Sequence, residues 1–240
     1  MKKYEVIKYY SNFSKMYERV RLGTIKGKII SNLQINWFIN NLGNENSSCL
    51  EIGCGTGRVT RILVKKTKLL VAIDASLKMI RINKNMMNNE LKDRIEYVLC
   101  DVSYLPFFNE SFDNLVGARV FWHIIEYVTA LREALRVLKI KGHLLFDFPC
   151  LWGFFSLYSR FRKIKHEVLT LFIDRKTIIR IFKKTNGLTI NGNTSLFLFI
   201  IPDVLLGIKT IRKIIYSFEQ FNYSFFKNWL YTYYLIHVTK

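Results

Sequence analysis

Three glycines follow a short apolar run at every second position, in the stretch CLEIGCGTGRVT at residues 49–60. Glycine adopts positive φ angles and lets a ligand approach the backbone, and a helix that starts after such a turn offers unpaired N–H groups. Asp74 and Asp101 stand at the ends of two later apolar runs. A carboxylate can accept hydrogen bonds from a ribose diol or from an amino group. The pattern therefore indicates a site for a polar, ribose-bearing ligand.

The glycine spacing differs from the dinucleotide-binding fingerprint Gly-x-Gly-x-x-Gly. The glycines are Gly53, Gly55 and Gly57, and Arg58 stands where the last glycine of that fingerprint would fall. Asp74 follows the loop by about 20 residues, the sequence separation that is typical of an acid that accepts hydrogen bonds from ribose hydroxyls. A ribose-bearing ligand other than a dinucleotide is therefore favoured. The alternative is a turn without a ligand, in which the acids only cap the turns after their strands.

Apolar runs alternate with helical patterns through the middle of the chain, as a parallel α/β sheet requires. The predicted strands are residues 49–54, 69–74, 95–101, 112–120, 143–148, part of 188–199, and 231–239; the predicted helices include 59–66, 77–88, 127–138 and 175–184. Ligands bind beyond the carboxyl ends of the strands in such a sheet. The first three strands should therefore bring the glycine loop and both acids to one crevice.

Several motifs resemble those of class I S-adenosylmethionine-dependent methyltransferases, especially the group that includes small-molecule and quinone methyltransferases. LEIGCGTG resembles the first motif of that family, VAIDASLKMI the second, and CDVSYLPFFNESFDNLV the third with the strand that follows. ALRVLKIKGHLLF is similar to the next helix, turn and strand. The resemblance covers residues 49–148. It implies a Rossmann-like α/β fold, with a seven-stranded, mostly parallel sheet, helices on both faces and an antiparallel last strand.

The resemblance also implies S-adenosyl-L-methionine as the cofactor and a role for each matching residue. Glu51 and the glycine loop would face the methionine end, Asp74 would hold the ribose hydroxyls, and Asp101 would read the adenine. The backbone after the fourth strand would border the amino acid part. The predicted cofactor-binding residues are Tyr17, Glu51, Gly53, Cys54, Gly55, Gly57, Asp74, Ala75, Met79, Asp101, Val102 and Ala118.

Methyl transfer from a sulfonium is an in-line displacement, which an enzyme accelerates mainly by aligning the reacting atoms. No metal is needed, and the four cysteines are widely spaced without a Cys-x-x-Cys pair. His123, in RVFWHIIE after the fourth strand, is the candidate general base for an acceptor that must lose a proton. The alternative is a histidine that only packs against or orders its loop.

A single methyltransferase domain is expected for a chain of 240 residues. Residues 1–45 are predicted to form an N-terminal helical lid and residues 46–150 the cofactor-binding core. Segments 151–172 and 202–230 lengthen the late connections beyond the usual few residues and are predicted substrate-cap insertions. Because the late segments are rich in aromatic and apolar residues, they favour a small-molecule or lipid-like acceptor.

The formal net charge of +19 favours contact with polyanions. An anionic membrane surface, an acidic substrate or nucleic acid would satisfy it, and so would a compositional excess of lysine without any partner. An RNA methyltransferase and a non-catalytic cofactor-binding protein are therefore kept as alternatives.

The chain start lacks the apolar region of a signal peptide. The longest apolar run, residues 195–208, is interrupted by Pro202 and Asp203 and is shorter than the ~20 residues of a spanning helix. We therefore expect a cytoplasmic protein without a transmembrane segment, and contact with a membrane surface stays open.

Overall fold

A computed structural model describes residues 2–44, 46–149, 171, 175–183, 188–196, 210 and 233–240. The predicted cap insertions at 151–172 and 202–230 lie outside the described residues, apart from Leu171 and Thr210. The helices are α1 (Lys3–Phe13), α2 (Tyr17–Leu22), α3 (Ile25–Asn41), α4 (Thr60–Lys66), α5 (Leu77–Met86), α6 (Tyr127–Val137) and α7 (Arg175–Lys183), with 3-10 helices at Asn89–Arg94 and Phe121–His123. The strands are β1 (Ser48–Ile52), β2 (Leu69–Asp74), β3 (Ile95–Leu99), β4 (Phe112–Gly117), β5 (Leu138–Pro149), β6 (Thr189–Leu196) and β7 (Tyr233–Thr239).

The strands form a seven-stranded sheet in the order β3-β2-β1-β4-β5-β7-β6. Strands β1 to β5 pair in parallel, whereas β7 is antiparallel to both of its neighbours. The predicted fold class, a mostly parallel sheet with an antiparallel last strand, is confirmed. The strand order reverses between β1 and β4, and that reversal creates the ligand crevice of open α/β sheets.

Alternation along the strands sends side chains to two separate core layers. In β1, Leu50 and Ile52 belong to the layer that includes residues of α6 and α7. Cys49 lies in the opposite layer, with Phe38 of α3 and Leu63 of α4. Since side chains alternate between the two faces of a strand, Glu51 is directed into the same layer as Cys49, between the sheet and α3 and α4.

Several strand boundaries differ from the sequence prediction, among them the end of β1, which is at Ile52 and not at residue 54. Three other differences are at β4, β5 and β3. Strand β4 ends at Gly117 because Arg119 adopts a φ of 57° and a 3-10 helix follows, so the predicted extension to residue 120 is wrong. Strand β5 begins at Leu138, directly after α6, and passes through Lys141 at a φ of 66°. Strand β3 ends at Leu99, before the turn that contains Asp101.

Within the described part of the chain, no helix is both long enough and apolar enough to cross a bilayer.

Gly57 is predicted to be a site where alanine lowers stability strongly. Its φ is 94°, and a Cβ would lie 2.4 Å from Oδ1 of the buried Asn83, whose amide nitrogen donates to the Thr60 hydroxyl at 2.9 Å. Gly57→Ala should reduce the free energy of unfolding by about 3 kcal/mol, as measured by urea denaturation. Gly55→Ala is the matched control, because its φ is also positive but nothing lies within 4 Å of the added carbon. The control should lose only about 1 kcal/mol, and equal losses would contradict this account.

Candidate active site

A crevice of about 220 Å³ lies at the carboxyl ends of β1, β2, β3 and β4. The sheet side of the crevice is formed by the loops that follow these strands, and α1 covers it from the other side. The strand ends and the segments that follow them contribute Ile52, Gly53, Gly55, Ile73, Asp74, Ala75, Ser76, Met79, Cys100, Asp101, Val102, Ser103, Ala118, Arg119, Val120, His123, Ile124, Ile125 and Glu126, and the N-terminal helices contribute Lys3, Val6, Ile7, Tyr10 and Tyr17. Most of these side chains are apolar, with a few convergent polar groups, as in small-molecule sites generally.

Most of the residues predicted from the sequence line this crevice. They are Tyr17, Gly53, Gly55, Asp74, Ala75, Met79, Asp101, Val102, Ala118 and the candidate base His123. Three predicted residues do not line it, namely Glu51, Cys54 and Gly57. Glu51 and Cys54 are buried on the α3 and α4 side of the sheet, and Gly57 packs against Asn83.

The three glycines of the loop have different neighbours. A Cβ at Gly53 would lie 2.4 Å from Val120 Cγ2, and one at Gly57 would meet Asn83 at the same distance. At Gly55 no atom lies within 4 Å of the added carbon, although the residue lines the crevice. Two glycines are therefore required by packing within the protein. Only at Gly55 is the backbone open to a ligand.

Asp74 joins the end of β2 to the glycine loop. Its carboxylate accepts the Gly55 N–H at 2.9 Å and the Ser76 N–H at 2.8 Å. Burial raises the pKa of Asp74, while these backbone N–H groups act in the opposite direction. Each carboxylate oxygen keeps a further acceptor position. The fixed carboxylate at the crevice wall can therefore accept hydrogen bonds from a vicinal diol.

Asp101, at the end of the adjacent strand, is held from two sides. Its Oδ1 accepts the Ser103 N–H at 2.9 Å, and its Oδ2 forms an ion pair with the Lys3 ammonium. Lys3 also lies over the Tyr104 ring, 5.5 Å from its centroid. An amino group of a ligand would compete with Lys3 for Asp101. Sequence reasoning missed Lys3, because nothing in its local sequence places α1 over the end of β3.

Tyr10 and His123 form a hydrogen-bonded pair across the crevice. The Tyr10 hydroxyl lies 2.7 Å from Nε2 of His123, and the two rings meet edge to face at 5.1 Å. Burial is the main cause of a strongly raised pKa at Tyr10, so the phenol keeps its proton at neutral pH. With the phenol as donor, Nε2 is the acceptor and Nδ1 carries the imidazole proton. His123 can therefore take a proton at Nε2 only after Tyr10 releases that atom.

Two further contacts hold the N-terminal helices over the strand ends. The Ser11 and Ser76 hydroxyls are 2.7 Å apart, which ties α1 to the loop after β2. Glu18 of α2 accepts from the Thr56 hydroxyl at 3.1 Å and from the Arg61 guanidinium at 2.8 Å. Helix α3 differs from α1 and α2, because it packs on the sheet through Phe38 and contributes nothing to the crevice lining.

Glu51 is a buried carboxylate behind the glycine loop. Burial raises its pKa to about 8, against the lowering effects of the Thr60 hydrogen bond and the Arg58 charge. Its Oε2 atom has no hydrogen-bond partner among the described residues. A buried carboxylate is costly unless it is paired. A cation or donor that reached this oxygen would lower the pKa and stabilise the charged form.

A buried polar network continues from this region to β5. The Asp147 carboxylate accepts the Arg119 N–H and the Gln34 side-chain amide, the latter at 2.6 Å, and the Gln34 carbonyl accepts from Arg58 at 2.7 Å. Burial raises the pKa of Asp147 to about 6 and lowers the pKa of Arg58 to about 10. Sequence reasoning missed this network. The available signal was an acid inside the apolar run LLFDF, which cannot be buried without a partner.

Comparison with known proteins identifies the domain that carries this crevice. Residues 50–146 match a protein family described as a methyltransferase domain. The match begins in β1, includes the glycine loop and both acids, and ends in β5. The part of the chain that carries the crevice is therefore similar to a methyltransferase domain.

The relatives that this chain resembles are named for different substrates. Over 142 residues the chain is 32% identical to the ubiquinone/menaquinone biosynthesis C-methyltransferase UbiE of Rickettsia typhi, covering 56% of this chain and 52% of the relative. Over 104 residues it is 30% identical to a tRNA U34 carboxymethyltransferase of Nautilia profundicola, covering 43% and 34% respectively. The chain therefore spans about half the length, or less, of these curated relatives.

A solved structure with the same fold comes from Thermotoga maritima. It is an S-adenosylmethionine-dependent methyltransferase, 19% identical, with a TM-score of 0.68 over 96% of this chain and 98% of the other. At this level of identity the likeness concerns the fold alone.

The similarity of residues 50–146 to a methyltransferase domain implies S-adenosylmethionine as the cofactor, and the residues of the crevice are compatible with it. Among the described residues no atom lies within 4 Å of a Cβ built at Gly55, and the Asp74 carboxylate keeps acceptor positions beside its two backbone partners. These groups suit a ligand that carries a ribose diol and positive charges.

Asp74→Asn should weaken S-adenosylmethionine binding about 10- to 100-fold, because hydrogen bonds to a charged acceptor contribute about 1.5–3 kcal/mol. Isothermal titration calorimetry measures the change in Kd. Asp113→Asn is the matched control, since Asp113 also accepts a backbone N–H, that of Ser48 at 2.9 Å, but lies outside the crevice. Equal losses of affinity in both variants would contradict the role given to Asp74.

Glu51→Gln should change the pH dependence of stability. The pKa of Glu51 is about 8 in the folded chain, against an ordinary value of 4.5, so the folded state retains a proton that the unfolded chain releases. Its contribution is fully present below the ordinary pKa and is lost as the pH rises through 8. Relative to Glu51→Gln, the native protein should lose about 4 kcal/mol of unfolding free energy between about pH 5 and pH 9. Urea denaturation of the cofactor-free protein measures this, and a constant difference would exclude the raised pKa.

Proposed function

We propose that the chain is an S-adenosylmethionine-dependent methyltransferase that acts on a small-molecule or lipid-like acceptor. The observation that carries the proposal is the composition of the crevice beside the predicted cofactor residues. Its wall between α1 and the 3-10 helix after β4 carries the apolar side chains Ile7, Ile124 and Ile125, beside Glu126 and the Tyr10–His123 pair. An acceptor with an apolar body and one polar reacting atom fits such a wall. The UbiE relative, which by its name acts in quinone biosynthesis, supports this choice.

The residues proposed to bind the cofactor act by orientation. Asp74 accepts the ribose hydroxyls, Asp101 accepts the adenine amine after Lys3 moves aside, and Gly55 allows the ligand to lie against the backbone. Met79 and Val102 provide apolar contact for the adenine ring. The bound cofactor supplies an electrophilic methyl group on a sulfonium. Holding the acceptor in line with that methyl is the largest contribution expected from the protein.

His123 is proposed as the general base for an acceptor that must lose a proton. Its Nε2 is already at the crevice and accepts from Tyr10. The acceptor hydroxyl would replace the Tyr10 hydroxyl at Nε2, and the proton would move to that nitrogen as the methyl is transferred.

Helices α1 and α2 are proposed to form the moving part of the N-terminal lid, within residues 1–45. The crevice of about 220 Å³ is smaller than the ~300–1,000 Å³ of usual small-molecule sites. Outward movement of α1 would enlarge it enough for a cofactor and an acceptor. Residues 46–150 are the proposed core, and 151–172 with 202–230 the proposed substrate caps.

An RNA acceptor is the second candidate function. The tRNA-modifying relative from Nautilia profundicola and the net charge of +19 favour it. The apolar crevice wall argues for a small-molecule or lipid-like acceptor over RNA, because RNA is recognised mainly through phosphate contacts and stacked bases.

Incubation of the purified chain with methyl-labelled S-adenosylmethionine tests these alternatives. Lipid extract, RNA and polar metabolites from bacterial cells are offered separately, and label should enter the lipid or metabolite fraction. Label in RNA alone would favour the second candidate. Cofactor binding by calorimetry without transfer to any fraction would indicate a non-catalytic cofactor-binding protein.

With a labelled fraction in hand, His123→Gln should lower kcat about 100-fold while leaving the Kd for S-adenosylmethionine within about twofold. Tyr10→Phe is the matched variant, because it removes the hydrogen bond to Nε2 but keeps the ring. It should retain most of the activity and shift the pH profile of kcat. Unchanged kcat in His123→Gln would assign His123 to packing alone.

A further inference from the structure

Helices α1 and α2 and the turn between them carry a set of exposed residues that do not line the crevice, which we call the outer face. It consists of Tyr4, Lys8, Lys15, Met16, Arg19 and Val20, all of them exposed. Tyr4, Met16 and Val20 are 61%, 53% and 52% exposed, which is high for large apolar side chains. The outer face thus contains both large apolar groups and cations, the composition of helices that lie in the interfacial region of a membrane.

The acids of these helices do not neutralise the outer face. Glu5 accepts the Lys2 N–H at 2.6 Å and is only partly exposed. Glu18 is directed toward the core domain, where it pairs with Arg61 at 2.8 Å. Among the described residues, Lys8, Lys15 and Arg19 take part in no ion pair with a carboxylate. Three cations are therefore free to meet a negatively charged surface.

We propose that the outer face docks on an anionic membrane surface. Each cation held near anionic lipid strengthens binding about fivefold, so three give about 100-fold. RNA would use the same charges but needs planar side chains for stacking. Met16 and Val20 have no planar face, and Tyr4 alone is aromatic, so the apolar part of the outer face suits lipid better.

The same helix carries the crevice lining on its other side. Val6, Ile7 and Tyr10 of α1 face the crevice, while Tyr4 and Lys8 belong to the outer face. A lipid-like acceptor would leave the bilayer at the helix that covers the site. This consequence rests on the proposed function, whereas membrane binding itself does not.

Sedimentation with lipid vesicles tests the docking. The full chain should bind vesicles made of equal parts phosphatidylserine and phosphatidylcholine, and should bind phosphatidylcholine vesicles at least tenfold more weakly. The triple variant Lys8→Gln, Lys15→Gln, Arg19→Gln should lose about 100-fold in affinity for the anionic vesicles. The double variant Met16→Ser, Val20→Ser, which keeps every charge, should also bind more weakly.

The matched control is Lys65→Gln, Lys68→Gln, Lys92→Gln, which removes three exposed cations from α4, the start of β2 and the 3-10 helix before β3. It should bind anionic vesicles within about threefold of the native chain, and all variants should keep the native Kd for S-adenosylmethionine.

Equal losses of vesicle affinity in the control and in the triple variant of the outer face would show an effect of net charge alone and overturn the proposal. Equal binding to both vesicle types, or RNA retention that depends on the outer face without vesicle binding, would overturn it too. If the native chain forms a dimer that the outer-face substitutions abolish, the outer face binds a second copy of the chain, and the proposal is overturned. Loss of vesicle binding with methyl transfer intact would separate failure of the docking from failure of the proposed function.

Discussion

The hydrogen bond from the Gly55 N–H to the Asp74 carboxylate connects the two strand ends on which the site depends. It holds the glycine loop against the end of β2 at Gly55, whose φ is 53°. The Ser76 N–H donates to the second oxygen of the same carboxylate. Because Asp74 is held by backbone groups of both loops, its position is set before a ligand arrives. Such preorganisation reduces the loss of conformational entropy on binding.

Buried charge imposes a second constraint on the domain. Asp147, Arg58 and Arg119 are buried close enough to interact electrostatically, and Arg119 also lines the crevice. A buried charge without partners is costly. Gln34 bridges the Asp147 carboxylate and the Arg58 guanidinium, so a single side chain of α3 satisfies both. Asp147 also binds the backbone of Arg119 in its left-handed conformation, which positions the loop after β4 at the crevice wall. The network thus explains why α3 belongs to the packed core, although it is continuous in sequence with the helices over the site.

Helices α1 and α2 have fewer such constraints. Their polar contacts with the segments after the strands are hydrogen bonds and ion pairs at Lys3, Tyr10, Ser11 and Glu18. Within residues 3–22, which span both helices and the turn between them, only Val6 and Ser14 are buried. Few buried contacts mean a low free energy of local opening. The proposed lid movement and the proposed membrane contact both use this property, since one helix pair can exchange its contacts without disturbing the sheet.

The sequence by itself determined the sheet and the approximate position of the crevice. Alternating apolar runs, the glycine loop and the acids after the second and third strands are local features, and the rule that parallel strands end at one edge brings them together. Only the tertiary structure decided which glycine is open to a ligand, that Glu51 is buried behind the loop, and that Lys3 forms an ion pair with Asp101. The pairs Gln34–Asp147 and Tyr10–His123 each join residues 113 positions apart. No local pattern specifies such contacts, because they depend on how whole elements pack on one another, and a buried polar group takes its partner from whichever element packing places beside it.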